Sequence, residues 1–245
     1  KGQNLTFIPL SALKGDNVVD KSDNMDWYQG ETLMHHLERL DTDDINDESQ
    51  TRFPVQTVIR PKTEEYHDYR GYAGKIYGGD IEVGDEVAVL PSLTTSKVKS
   101  INFFDKEYQQ AKRGSSVTIT LEDNVNVSRG DMLVKVAEQP TIAKQLDATI
   151  CWMDKEPLQA SQRYYIKHGV NDAQAKITQL KSIIKTDFSG VEENPSELEL
   201  NQIGDIQLKL SKPLSFDAYK NNKSNGSFIL INPKTNNTVG VGFIK

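Results

Sequence analysis

The chain has 245 residues, 36% hydrophobic and 26% charged, a balance that suits one large folded domain or two smaller ones. A formal net charge of −6 with a pI near 5.3 lacks the basic excess of a general nucleic-acid binder. No apolar run approaches the roughly 18 residues that would cross a membrane as a helix, and the single cysteine, Cys151, excludes an internal disulfide and fits a reducing cytoplasm.

The first segment runs from residue 1 to about 50. LTFIPLSA reads as a short apolar strand ending in small residues, followed by the polar loop KGDNVVDKSDNMDWYQG. In ETLMHHLERL, Leu33, Met34, Leu37 and Leu40 recur at helical spacing, with Glu31 and Thr32 suited to the helix start. DTDDINDESQ breaks that period and reads as a solvated acidic linker.

The second segment, 51–139, predicts only strands. FPVQTVI, YAGKIY, DEVAVL, SKVKSI, SVTITL and DMLVKV are short runs rich in Val, Ile and Tyr. Gly78, Gly84, Gly114 and Gly130 sit between them, where tight turns demand positive φ. Close, regular spacing favours a small barrel.

The third segment, 140–245, repeats the pattern with QLDATICWM, RYYIKH, AKITQLKSII, DIQLKL, SFILI and VGVGFI. Leu146, Ala148, Ile150 and Trp152 alternate, which makes Cys151 a strand residue facing the other side. Gly240 and Gly242 predict a strand with one thin face that another backbone approaches closely. The fold class expected is therefore mainly β: two consecutive β-barrels after a short αβ segment.

No complete active site can be assembled from these residues. GDNVVDKS places Asp20 where a phosphate loop needs its second glycine, and a carboxylate there repels phosphate. Asp68-Tyr69-Arg70-Gly71 and Asp187-Phe188-Ser189-Gly190 match D-x-x-G but lie in β segments with no phosphate loop before them. Asn222-Lys223-Ser224-Asn225 lacks the aspartate that makes N-K-x-D read guanine. His35 and His36 diverge by about 100° on a helix, His67 lies in a polar aromatic loop, and with His168 they form no metal-ligand spacing. The assignment is no catalytic residue and no metal site.

SALKGDN after LTFIPL resembles the last guanine-contacting motif of translation-factor GTPases, in which a strand delivers a short S-A turn beneath the base. Carried over, the contacts fall on Ser11, Ala12 and Leu13. The order of loop, helix and two β modules is similar to elongation factor Tu and its relatives. Within that superfamily, FIPLSALKGDNVV, WYQGETLMHHLE, RFPVQTVIRP, DYRGYAGKI, DATICWMDKEPL and NGSFILINPKTNNTVGVGFI resemble the large, GTPase subunit of bacterial sulfate adenylyltransferase (ATP sulfurylase).

That resemblance implies residues 1–50 as the end of a GTPase domain plus linker, 51–139 as barrel domain 2 and 140–245 as barrel domain 3. It implies a cytoplasmic protein whose full-length form uses GTP and Mg2+, and whose partner is the catalytic small subunit, which joins ATP and sulfate into adenosine 5′-phosphosulfate and pyrophosphate. The family's phosphate loop, switch regions and N-K-x-D belong upstream of Lys1, so this stretch is expected to bind no cofactor and hydrolyse no GTP by itself. Neither membrane nor nucleic acid is an expected partner. A translation-factor-like module binding tRNA or the ribosome, or a non-enzymatic two-barrel adaptor, are the alternatives.

Overall fold

Period-2 alternation dominates the chain, and the computed structural model turns nearly every such run into a strand. It describes residues 5–40, 50–61, 68–104, 106–185 and 189–245. The chain divides into two compact units, Lys1–Asn46 and Asp47–Lys245.

In the first unit the one α-helix among the described residues, α1 (Leu33–Arg39), starts where Thr32 accepts a hydrogen bond from the His35 N–H. It ends at Leu40, whose extended backbone leaves the helical path. Met34, Leu37 and Leu40 are exposed. LTFIPL departs from the sequence expectation: among the described residues, Leu5 to Leu10 pair with no strand, and Leu5, Phe7 and Leu10 are exposed. A strand exists only as part of a ladder, so apolar composition alone does not make one. Most of the acidic linker, residues 41–49, lies outside the described residues, as do His67, Asp187 and Phe188.

The second unit holds two seven-stranded antiparallel sheets. The first comprises β1 (Phe53–Ile59), β2 (Gly71–Lys75), β4 (Glu86–Leu90), β5 (Thr94–Phe103), β6 (Lys106–Tyr108), β8 (Ser116–Leu121) and β9 (Met132–Lys135), while β3 (Ile81–Glu82) pairs with β7 (Gln110–Ala111) beside it. The ring β4-β9-β1-β2-β8-β5 closes through a β4–β5 pairing, which removes the open edges of a flat sheet. Phe53, Val55, Ile76, Val98, Ile101 and Ile119 are fully buried inside it. Gly78, Gly84, Gly114 and Gly130 all take positive φ at the turns.

The second sheet comprises β10 (Thr141–Trp152), β12 (Arg163–His168), β13 (Asn171–Ile184), β14 (Val191–Glu193), β16 (Ile203–Phe216), β17 (Ser227–Ile231) and β18 (Thr238–Ile244), with β11 (Leu158–Gln159) paired to β15 (Glu197–Leu198). A β12–β13 pairing closes the ring β12-β17-β18-β10-β16-β13. Leu146, Ala148, Ile150 and Trp152 point into its core as their alternation predicts. The thin face of β18 does not receive a backbone. A Cβ on Gly240 would meet the Ile150 and Trp152 side chains, and one on Gly242 would strike the Phe228 ring, so the missing side chains make room for large core residues.

Polar contacts fasten the two barrels together. Arg52, one residue before β1, is 1% exposed and spends all five guanidinium N–H groups. Nε and Nη2 donate to the Asp217 carboxylate at 2.8 and 2.9 Å, and the remaining donors reach Thr51 O, Glu138 O and Gln50 Oε1. Asp217 also accepts from Asn225 Nδ2 at 2.7 Å, and the Asn225 carbonyl accepts from buried His168 Nε2 at 2.9 Å. Asn171 Nδ2 donates to Gly130 O at 2.6 Å from the other barrel. A small apolar cluster of Ala88, Leu90, Met132 and Val134, against which Ile142 packs, completes the joint.

Candidate functional site

Ser11, Ala12 and Leu13 form the turn that the sequence points to. Ser11 N–H donates to Asp16 O at 3.1 Å and Ser11 O accepts from Gly15 N–H at 2.8 Å, so the chain doubles back within six residues. Gly15, at φ 78, makes the reversal feasible. Ala12 and Leu13 ride on the tip, their N–H groups bonded to no described residue and the Leu13 side chain 95% exposed. A turn offering adjacent free donors can take the acceptor edge of a planar group.

Two residues that the sequence reading passed over hold this turn in shape. Asn17 is buried at φ 55, donates to Pro9 O at 3.0 Å, and accepts from the Ser22 N–H at 2.9 Å. Its own carbonyl accepts from Leu33 N–H, tying the loop to the first turn of α1. Asp16 accepts from Ser22 Oγ at 2.6 Å and from Asn24 Nδ2 at 3.0 Å. Those two hydrogen bonds, Ser22 first, hold its carboxyl below the ordinary aspartate range. An asparagine directly after a Gly-Asp pair is the available sequence signal, since asparagine enters the left-handed region readily.

Beside the turn, Glu31 bonds His36 Nδ1 at 2.6 Å and Arg39 at 3.4 Å, and the His36 contact chiefly lowers the Glu31 pKa. Lys21, Tyr28, Glu31, His35 and Arg39 help line an open recess of about 760 Å³ in this unit. Among the described residues no group of three or more His, Cys, Asp or Glu side chains could hold a metal ion. No helix among them is long and apolar enough to cross a membrane. Asn222 and Asn225, from the near-match to N-K-x-D, are buried at the barrel joint, where Asn225 N–H donates to Asn222 Oδ1 at 2.9 Å. That motif is a turn brace.

Comparison with known proteins bears on the fold. Residues 145–245 match the family described as GTP-eEF1A C-terminal domain-like. Sulfate adenylyltransferase subunit 1 of Bacteroides fragilis is 45% identical over 241 residues, covering 98% of this chain and 49% of that relative. Nearly the whole chain is homologous to sulfate adenylyltransferase subunit 1. The same protein from Shewanella woodyi is 44% identical over 98% of the chain and 50% of its own length. The bifunctional enzyme CysN/CysC of Mycobacterium tuberculosis is 40% identical over 99% of the chain and 40% of its own length. The chain thus spans about half the length of the subunit 1 relatives it matches.

Solved structures carry the fold further than sequence does. Sup35 complexed with GMPPNP superimposes with a TM-score of 0.72 at 20% identity, over 96% of this chain and 57% of that one. Elongation factor SelB from Methanococcus maripaludis gives 0.67 at 21% identity, over 87% and 46%. The two closed barrels therefore share the fold of the corresponding parts of Sup35 and SelB.

Proposed function

We propose that this chain is part of the GTPase subunit of a sulfate adenylyltransferase. The reaction joins ATP and sulfate into adenosine 5′-phosphosulfate and pyrophosphate, driven by GTP hydrolysis. The observation that carries the reading is the 45% identity over 241 residues, which spans 98% of the chain. In this reading residues 1–50 complete a GTPase domain, 51–139 and 140–245 are barrel domains 2 and 3, and the protein works in the cytoplasm beside a catalytic small subunit.

GTP supplies, when bound, a phosphoanhydride whose hydrolysis offsets the uphill formation of a phosphate–sulfate anhydride. This chain's own part is contact and relay. The free N–H groups of Ala12 and Leu13 take the guanine edge, with Ser11 closing the turn behind them. Asn17 keeps that turn set against α1, so the donors are aimed before the base arrives. Among the described residues no group of three or more His, Cys, Asp or Glu side chains could hold the Mg2+ that accompanies GTP in this reading. Coupling requires that the GTP and GDP states contact the partner differently, and barrels fastened by Arg52 and Asp217 pass such a change on as one body.

The test is to express the full reading frame with the small subunit and measure pyrophosphate release from ATP and sulfate. GTP should raise product formation and be hydrolysed alongside it. Product formation indifferent to GTP, together with tRNA binding that falls steeply with salt, would replace this reading with a translation-factor one.

A further inference from the structure

The outside of a water-facing antiparallel barrel should be polar, because alternate side chains already fill its core. One outward row of the second barrel breaks that rule. Register pairs Val191 with Ile184, Ile184 with Ile203, Ile203 with Cys151, Cys151 with Val241 and Val241 with Ile229. Paired residues share a face, so six apolar side chains stand in line across β14, β13, β16, β10, β18 and β17. The core-facing neighbours Ile150, Trp152, Ile183 and Leu230 are buried, whereas Val191 is 50% and Ile203 40% exposed.

The next outward row is polar over β14, β13, β16 and β10, where Glu193, Ser182, Asp205 and Thr149 align, with Thr149 Oγ1 donating to Asp205 at 2.7 Å and Lys245 pairing with Asp205 at 2.6 Å. Its one apolar member, Phe243 in β18, is covered by the Tyr219 ring. The apolar row is therefore a local feature of this face.

Its exposed end lies away from the joint between barrels. Asn171, which contacts the first barrel, begins β13, and Ile184 ends it. At that end Met153 and Leu200 add exposed apolar surface, brought together where Asn201 N–H donates to Trp152 O. The segment 191–201 borders it with Glu192, Glu193, Glu197 and Glu199 and contains no Lys or Arg. Glu192, Glu193 and Glu199 are exposed and make no ion pair among the described residues. An apolar strip with an unneutralised acidic border is suited to a partner of opposite rim charge. It disfavours a second copy of this chain, since a two-fold interface sets the same patch against itself and would oppose glutamates to glutamates. It equally disfavours phosphate-rich surfaces.

We infer that this end of the second barrel is where the other subunit of the adenylyltransferase docks, through an apolar strip bordered by Lys and Arg. The inference rests on the function proposed above. Ile203 and Val191 form its dry centre, and the glutamates steer the approach.

The test titrates the small subunit against the full-length protein at low and high salt. Ile203→Asp should weaken binding about tenfold or more, as loss of a central apolar contact does. The double variant Glu192→Lys/Glu193→Lys sits on an exposed strand, so it keeps the fold. It should weaken binding at low salt and lose the wild-type salt dependence. Phe104→Asp, on an exposed hairpin of the first barrel, is the control and should bind as wild type. Alkylation of Cys151, followed by mass spectrometry, should slow in the complex.

Wild-type affinity in both the Ile203 and glutamate variants overturns the docking face while leaving the subunit reading intact. So does loss of binding in the Phe104 control alone. Self-association of the wild type that Ile203→Asp abolishes would put a second copy in the partner's place. A wild type that fails to bind the small subunit at all overturns the functional reading and this occupant with it.

Discussion

Arg52 and Asp217 stand 165 residues apart in sequence and meet in a two-pronged ion pair between the barrels, Nε to Oδ2 at 2.8 Å and Nη2 to Oδ1 at 2.9 Å. Removing one partner of a buried pair leaves an uncompensated charge, which costs about 3–5 kcal/mol. Asp217→Asn should therefore destabilise the second unit by about that much. Arg52→Lys should come close to it, because a single ammonium cannot replace five directed donors. Urea unfolding followed by tryptophan fluorescence, whose change comes chiefly from buried Trp152 because Trp27 is already exposed, and by far-ultraviolet circular dichroism would check this. The two probes should coincide in the wild type and separate in the variants, as the barrels lose their fastening. Coincident, unshifted transitions would show that the pair contributes little.

His168 gives the joint a pH dependence. Burial pushes its pKa below the ordinary 6.5, against the opposing pull of the Asn225 carbonyl and Asp217. The folded state then holds its imidazole neutral where the unfolded chain would protonate it. As pH falls below about 6.5 the unfolded state binds the extra proton, so stability falls with pH and the loss levels off once the folded pKa is passed. The slope can reach about 1.4 kcal/mol per pH unit for one group. Asp147 and Asp205, whose pKa values are lowered, give up their contribution only at more acid pH, so the His168 effect stands apart from theirs. His168→Gln, which can still donate to Asn225 O, should flatten stability over roughly the 1.5 pH units below the ordinary histidine value. Thermal melts across that range are the measurement.

The glycines of β18 are a packing device. A methyl group at Gly242 would drive into the Phe228 ring, which is itself buried and has no room to retreat. Gly242→Ala should cost about 1–3 kcal/mol, the usual penalty of overpacking. Combining it with Phe228→Leu should recover part of that loss, because the two changes share one space. Additive losses in urea unfolding would rule out the shared-space account.

The parts of this molecule legible in sequence are those that depend on neighbours one or two residues away. The alternation of Leu146, Ala148, Ile150 and Trp152 fixes which face of β10 is core, and Thr32 marks the start of α1. What escapes depends on distant residues. LTFIPL has strand composition, but pairing requires a partner that composition does not specify. Arg52 reads as one more surface cation until Asp217 arrives beside it. The Gly240 and Gly242 pattern signals a thin face, while only the register with β10 and β17 shows that Trp152 and Phe228 fill it. Ser11 to Leu13 were identifiable as a turn by resemblance. The asparagine that holds them in place carries too short a local pattern to stand out.

That asparagine allows the turn to be tested separately from the base it is proposed to meet. Asn17 contributes two things: a side chain bonded to Pro9 O and Ser22 N–H, and a backbone at φ 55 that few residues tolerate. Asn17→Gly keeps the backbone preference and loses the bonds, while Asn17→Ala loses both. If the hydrogen bonds dominate, the two variants should be equally destabilised, by about 1–3 kcal/mol for the groups left unsatisfied. If backbone strain dominates, alanine should be worse by about 1 kcal/mol, the left-handed penalty for a residue with a Cβ. Amide hydrogen exchange at Ser22 and Leu33, whose N–H groups bond to Asn17, reads the local loss directly. In the full-length protein both variants should weaken guanine nucleotide binding without affecting the barrels. Faster exchange at Ser22 and Leu33 with unchanged nucleotide affinity would mean that the turn is structural and that Ala12 and Leu13 do not contact the base.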